Sequence, residues 1–177
     1  MEAVVFFIFF GLYIVVRVLI GGGESAWENQ KIESKPGLQL FDVKDYKGSK
    51  SYFEKVVKIK PFESLGYVIL GEIALIEKED ERALYYAQKA IRLDNTVPDS
   101  HLLMSKGLYN INEFEQAIVN AQKAVWFGRA HIESNRWLGK LLVEKGEIKR
   151  GIRYLEIAFS KGDEDAGYEL KSMKNRN

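Results

Sequence analysis

Residues 64–97 read SLGYVILGEIALIEKEDERALYYAQKAIRLDNTV, and a segment with the same pattern begins at residue 98 and again at residue 132. Aligning these three 34-residue segments brings small side chains together in three columns. A period of this length is typical of proteins built from repeated helix pairs. The columns are Gly71, Ser105 and Gly139; Ala83, Ala117 and Gly151; and Ala90, Ala124 and Ala158.

The small columns predict how the helices of each repeat pack. Each segment reads as a helix, a short turn and a second helix, and two antiparallel helices approach closely only where a side chain is nearly absent. We therefore expect the first column to mark where the first helix of a pair contacts the second. Large apolar residues beside the columns predict the core. They are Leu70, Met104 and Leu138 before the first column, and Ile91, Val125 and Phe159 after the third.

These repeats resemble the tetratricopeptide repeat (TPR) family, which has an aromatic residue and a Leu-Gly pair in the first helix and alanines in the second. The matching residues are Tyr67, Leu70-Gly71, Leu138-Gly139, Gly146 and the alanine columns. The last repeat also resembles Sel1-type repeats, where Lys161-Gly162-Asp163 leads into Ala166. Over residues 45–174, the resemblance implies an all-α fold, a short right-handed α-solenoid of TPR-type helix pairs.

The resemblance also implies a concave groove that binds a peptide or helix of another protein. The assigned positions change from apolar in the first repeat to charged in the third, and an exposed apolar stripe usually marks a partner site. The cations of the groove are suited to binding an acidic group. The alternative is that the cap helix, or the segment 38–43, covers the apolar stripe. The assigned residues are Leu65, Val68, Glu72, Leu75, Ile76, Leu102, Lys106, Tyr109, Arg136 and Lys140.

The flanks of the array read as caps. Residues 46–60 match the second helix of a further repeat whose first helix is missing, because Pro36-Gly37 interrupts the chain and residues 38–43 alternate like a short extended segment. The predicted organisation is an anchor at 1–20, a juxtamembrane linker at 21–45, a cap helix at 46–63, repeats at 64–97, 98–131 and 132–165, and a C-terminal cap helix at 166–177.

Residues 3–20 form an apolar run interrupted only by Gly11 and Arg17. Eighteen helical residues reach about 27 Å, enough to cross the hydrocarbon core of a membrane. The run lacks the basic start and small-residue cleavage site of a signal peptide, so we expect a retained transmembrane helix. Arg17, Lys31 and Lys35 favour a cytoplasmic repeat domain in a bacterial inner membrane. The opposite orientation stays open because three charges decide the prediction.

Composition narrows the class of function. The 26 basic and 25 acidic side chains leave no net field to attract nucleic acid. Cysteine is absent, which excludes disulfides and thiol chemistry. His101 and His131 have no metal-ligand partner at helical spacing, and we interpret both as packing or turn residues. The sequence therefore predicts no catalytic residue, metal site, cofactor or small-molecule substrate.

The predicted function is a membrane-anchored TPR interaction module, an adaptor or assembly factor that recruits or braces partner proteins at the membrane. The alternative is a constitutive accessory subunit of a larger membrane complex. We expect an enzyme to show a catalytic constellation, and the sequence offers none.

Overall fold

The computed structural model describes residues 25–174, which fold into ten α-helices with no strand among them. The helices are α1 Ala26–Glu33, α2 Lys35–Asp42, α3 Tyr46–Ile59, α4 Ser64–Ile76, α5 Asp80–Leu93, α6 Pro98–Asn110, α7 Phe114–Phe127, α8 Ile132–Glu144, α9 Ile148–Ser160 and α10 Glu164–Lys174. Neighbouring helices pack in antiparallel pairs, and α4, α6 and α8 contact one another in turn. The result is an all-α solenoid.

The predicted anchor at residues 3–20 lies outside the described residues. Between residues 25 and 174, none of the helices has the length and apolar character needed to cross a membrane.

All nine residues of the small columns are buried. A Cβ atom on Gly139 would stand 3.0 Å from the carbonyl oxygen of Gly151, so α8 and α9 meet backbone to backbone. In the preceding pair, the Ser105 hydroxyl donates a 2.6 Å hydrogen bond to the carbonyl oxygen of Ala117. The predicted contact between the first and second columns is confirmed at these two pairs.

The turns inside the helix pairs share one backbone geometry. Lys44, Lys78, Asn112 and Gly146 lie 34 residues apart, and each has a positive φ, between 60° and 90°. The residue that follows each of them donates its backbone N–H to the carbonyl oxygen of the residue five positions before it. For example, Asp45 donates to Leu40 at 2.9 Å. A left-handed residue followed by this bond satisfies the free carbonyls of a helix end. Because Lys44 belongs to the series, α2 and α3 form a pair like the three that follow.

The prediction of an extended segment at residues 38–43 is wrong, since these residues lie in or at the end of α2. Pro36 stands in the first turn of that helix, where no intrahelical N–H bond is lost. Gly37 lets α2 approach α3, because a Cβ there would lie 2.2 Å from Cδ1 of Tyr52. Leu38 and Phe41, three residues apart, pack against the core cluster around Phe53. This helical spacing, not the alternation, matches the observed burial.

Helix α1 lies against the first helix of the repeat array. Ser25 caps it by accepting the Glu28 N–H at 3.2 Å. The Gln30 side-chain oxygen accepts the Leu65 N–H at 2.9 Å and so satisfies one of the free donors at the start of α4. Trp27 packs against the same core cluster as Leu65. Residues 26–42, which fall in the predicted linker, therefore contribute two helices to the packed domain.

Candidate functional site

The apolar end of the predicted groove is closed in the structure. Leu65 and Val68 are only 2% and 3% exposed, and Leu102 is also buried. The expectation that Leu65 and Val68 belong to an exposed apolar stripe is wrong. Side chains of α1 and α2 pack on the core cluster that contains Leu65. Only Leu75, which is half-buried, and Ile76, which is exposed, remain accessible from the apolar set of the first repeat.

The centre of the groove holds a charge cluster in which two carboxylates share one ammonium. The Lys106 ammonium lies 3.1 Å from a Glu72 oxygen and 2.8 Å from Glu133. Burial raises the pKa of Glu72 despite the nearby ammonium. Burial alone would lower the pKa of Lys106, but the two carboxylates raise it on balance. Lys106 is thus committed to carboxylates of its own chain.

The cations of the third repeat are also engaged. The Arg136 Nε donates to Asp163 at 2.9 Å, and the guanidinium lies 3.8 Å from Asp165. Lys140 is exposed, with its ammonium 5.6 Å from the ring centre of Trp137. A partner carboxylate would have to displace an internal one at Lys106 or Arg136. The hypothesis that these cations bind an acidic peptide is therefore weakened by their pairing.

A cavity of about 710 Å³ opens where the turns of successive helix pairs meet, and we call it the turn-edge cavity. It brings together two predicted groove residues, Leu75 and Tyr109, with Phe114 and with polar residues of the turns. Both its carboxylates accept internal hydrogen bonds: Asp80 from Asn110 at 2.6 Å, and Glu144 from the Tyr109 hydroxyl at 3.1 Å. Its full lining is Leu75, Lys78, Asp80, Tyr109, Asn110, Asn112, Phe114 and Glu144.

The Tyr109 ring is fixed within an aromatic group beneath this cavity. It meets Trp137 edge to face with ring centres 5.4 Å apart, and Phe114 lies 6.1 Å away. The Trp137 Nε1–H donates to the Ser105 hydroxyl at 2.8 Å, which ties the group to the helix-crossing column. A rigid aromatic wall beside polar groups is a common arrangement in protein-binding sites. Sequence reasoning found Tyr109 and Leu75 but missed the turn residues, which only the fold brings together.

A second cavity of about 640 Å³ lies at the opposite edge, where the loops between helix pairs meet α1. Trp27 and Lys31 of α1 line it together with Pro98 and the segment 126–131. At its wall the His131 Nε2 lies 3.5 Å from Asp99. The hydrogen bond to that carboxylate raises the pKa of His131, and the same bond lowers the pKa of Asp99 against the opposing effect of burial.

The interpretation of the two histidines as packing and turn residues agrees with their contacts. The His101 ring stacks on Phe127 at 5.3 Å, and its Nε2–H donates to the Asn95 carbonyl oxygen at 2.8 Å. His131 precedes α8 and accepts the Ser134 N–H. Among residues 25–174, no three His, Asp or Glu side chains are grouped so that they could hold a metal ion.

Comparisons with known proteins agree with the helix-pair repeat. No protein-family model matches the chain. It is 30% identical over 122 residues to a TPR repeat-containing protein of Methanocaldococcus jannaschii, a match that covers 68% of the chain but only 21% of that relative. The chain therefore spans about a fifth of the length of this relative.

Two solved structures show the same architecture. A thermophilic TPR protein of Thermus thermophilus has a TM-score of 0.72 at 17% identity, with 80% of this chain and 81% of that chain covered. YrrB, described as a TPR protein with an unusual peptide-binding site, has a TM-score of 0.57 at 16% identity, with 82% and 80% covered. The sequence match and the shared fold show that this chain is similar to tetratricopeptide repeat proteins.

Proposed function

We propose that the chain is a protein–protein interaction module that binds a segment of a partner protein in the turn-edge cavity. The observation that carries the proposal is the cavity itself, in which Leu75 and Tyr109 meet beside Asp80 and Glu144. YrrB, which shares the fold, is a TPR protein with a peptide-binding site, and this supports the class of ligand.

The lining indicates which segment would fit. Leu75 and Phe114 offer apolar contact, whereas Asp80, Glu144 and Lys78 supply two carboxylates and one ammonium. Two carboxylates favour a basic side chain, and the Tyr109 ring can also contact a cation through its face. The proposed ligand is thus a segment with an apolar side chain beside a lysine or arginine, and not the acidic segment first expected from Lys106.

The apolar run at residues 3–20 supports a second part of the proposal, a transmembrane helix that holds the module at a bacterial inner membrane with the repeats in the cytoplasm. Tethering would raise the local concentration of the module next to membrane-bound partners. In this role the chain acts as an adaptor or assembly factor.

The peptide proposal is tested by panning a random peptide library against the full chain in detergent, followed by fluorescence polarisation with a selected peptide. Tyr109→Ala should weaken binding at least about tenfold, as truncation of a central interface tyrosine commonly does. Tyr85→Ala is the matched control, because Tyr85 is exposed on α5 outside the cavity. Equal affinities for the two variants would place the ligand elsewhere.

The charge preference has its own test. Glu144→Gln should weaken binding of a basic peptide by up to about fivefold, since a solvent-exposed ion pair contributes about 0.2–1 kcal/mol. Glu156→Gln, an exposed change on α9, should leave affinity unchanged.

The alternative role, a constitutive subunit of a larger membrane complex, is tested by size-exclusion chromatography of the protein after gentle detergent extraction from membranes. A fixed stoichiometry with other membrane proteins would favour a constitutive subunit over an adaptor.

A further inference from the structure

The geometry points to a membrane-contacting face on this protein, and we propose that the edge formed by the loops between helix pairs rests on the lipid surface. We call it the loop edge and define it as residues 59–63, 94–98 and 126–131 with the adjoining face of α1. The inference rests on the proposed membrane anchor and adds an orientation of the domain, which the anchor alone does not determine.

Helix α1 runs along this edge, where it pairs with one loop and lines cavities together with the other two. Near its C-terminal end, Glu33 pairs with Lys60. At its start, Ser25 and Trp27 lie beside the segment 94–98, and Trp27 also faces the segment 126–131. One short helix thus identifies all three loops as parts of a single edge.

The position of Ser25 sets the distance between this edge and the proposed span. The apolar run ends at Ile20, and only residues 21–24 separate it from Ser25. Even a fully extended chain reaches at most about 18 Å over this interval. If residues 3–20 cross the membrane, the loop edge must lie within about that distance of the headgroups, whereas the turn edge lies on the far side of the domain.

The loop edge carries large apolar side chains that are mostly exposed in the domain. Phe62 is 86% exposed, Ile59 is 78% exposed and Trp126 is 70% exposed. Lys31 lies over the ring of Trp27, and Arg129 lies over the ring of Trp126, each at 5.6 Å. Amphipathic aromatic rings with long cationic neighbours are favoured at the headgroup layer, where the ring contacts acyl chains and the charge stays in water.

Charge alone does not drive this contact. Lys31 and Arg129 line the second cavity, of about 640 Å³, together with Glu28 and Asp99, so this edge has cations and carboxylates together. We therefore expect the face to enter a neutral phosphatidylcholine surface as well as an anionic one, and its depth to change little with salt. A cationic patch would behave in the opposite way.

The test uses the absence of cysteine from the chain, which makes a single introduced cysteine a unique labelling site. Ala130→Cys, exposed on the loop edge, and Ile111→Cys, exposed at a turn, are each spin-labelled in the full chain. Both proteins are placed in phosphatidylcholine vesicles, and collision with oxygen and with a water-soluble nickel chelate is measured. The label at position 130 should lose collision with the chelate and gain collision with oxygen, whereas the label at 111 should behave as in water.

Adding Phe62→Ser and Trp126→Ser to Ala130→Cys should return the label to water, and adding Val119→Ser, an exposed change on α7, should not. Free access of the chelate at position 130 would overturn the inference. Loss of collision with both probes would also overturn it, because protein and not lipid would then cover the edge.

Vesicle flotation distinguishes failure of the membrane anchor from failure of the proposed orientation. A chain that floats with the label in water refutes only the orientation, and one that fails to float refutes the anchor as well.

Discussion

Gly139 and Gly151 face each other so closely that a Cβ atom on Gly151 would lie 2.7 Å from the carbonyl oxygen of Gly139. The same Cβ would lie 2.9 Å from the backbone nitrogen of Val143, so no side-chain rotation relieves the contact. This pair shows physically why the repeat requires small residues at these positions, since α8 and α9 can pack only if neither has a side chain there.

Gly151→Ala should therefore destabilise the protein even though alanine is the better helix former. The change gains about 1 kcal/mol of helix propensity but forces an overpacked backbone contact that costs about 1–3 kcal/mol. We expect a net loss of up to about 2 kcal/mol in the free energy of unfolding, measured by urea denaturation. Gln122→Ala, exposed on α7, should change it by less than about 0.5 kcal/mol. A more stable Gly151→Ala protein would contradict the observed approach.

The turn at Lys44 provides a prediction in the stabilising direction. Lys44 has a φ of 62°, a conformation that suits glycine better than any residue with a Cβ. Lys44→Gly should raise the free energy of unfolding by up to about 1 kcal/mol, because it relieves about 1–2 kcal/mol of left-handed strain and costs about 0.5–1 kcal/mol in backbone entropy. Lys123→Gly, at an exposed position inside α7, should lower it by about 1 kcal/mol. If both changes destabilise equally, α2 and α3 do not share the turn seen in the other pairs.

The charge cluster around Lys106 should behave as a coupled unit. Lys106→Met leaves Glu72 and Glu133 without their shared cation, and we expect a loss of about 1–3 kcal/mol in stability. The double variant Lys106→Met with Glu72→Gln should recover part of that loss, because the partly buried carboxylate is then neutral. Additive losses in the double-mutant cycle would show that the two side chains do not interact.

The two histidines should give pH dependences of opposite sign. Burial, which disfavours the cation, lowers the pKa of His101 from its ordinary value near 6.5. As pH falls below 6.5, the unfolded chain takes up a proton that the folded protein resists, so the free energy of unfolding decreases. His101→Phe keeps the stack on Phe127 and should remove this decrease. A difference between the variant and the wild type that does not change with pH would contradict the prediction.

His131 provides the comparison, because the hydrogen bond to Asp99 raises its pKa. The stability it contributes is fully present below about pH 6.5 and is lost as pH rises through the folded-state pKa. His131→Gln should therefore cost more stability at pH 5.5 than at pH 8, as measured by urea denaturation at the two values. The reverse order would mean that the Asp99 contact does not hold the proton.

The repeat array was predictable because its determinants are local and periodic. Gly139, Gly151 and the alanine columns recur at the spacing that close helix packing imposes, so the pattern alone indicates which faces are buried. The N-terminal pair escaped this reasoning because Pro36 and the alternating residues 38–43 suggested a break. Two signals were present in the sequence, since Gly37 falls in the first small column and Lys44 lies one period before Lys78.

The candidate site was harder to predict because its residues act through contacts between distant parts of the chain. The sequence around Leu65 does not indicate that Gln30 and Trp27, more than 30 residues earlier, contact this part of the fold. Likewise the pairing of Arg136 with Asp163 depends on how the last helix packs. Positions within a repeat identify the side of a helix, but whether that side is open depends on what the rest of the chain places against it.

The most direct test of the proposed binding site is hydrogen–deuterium exchange of the full chain in detergent, with and without a peptide selected by panning. We expect slower exchange at residues 75–80 and 109–114, which surround the turn-edge cavity, and no change at residues 126–131. Protection confined to residues 126–131, or a selected peptide that slows exchange nowhere in the repeats, would contradict this expectation.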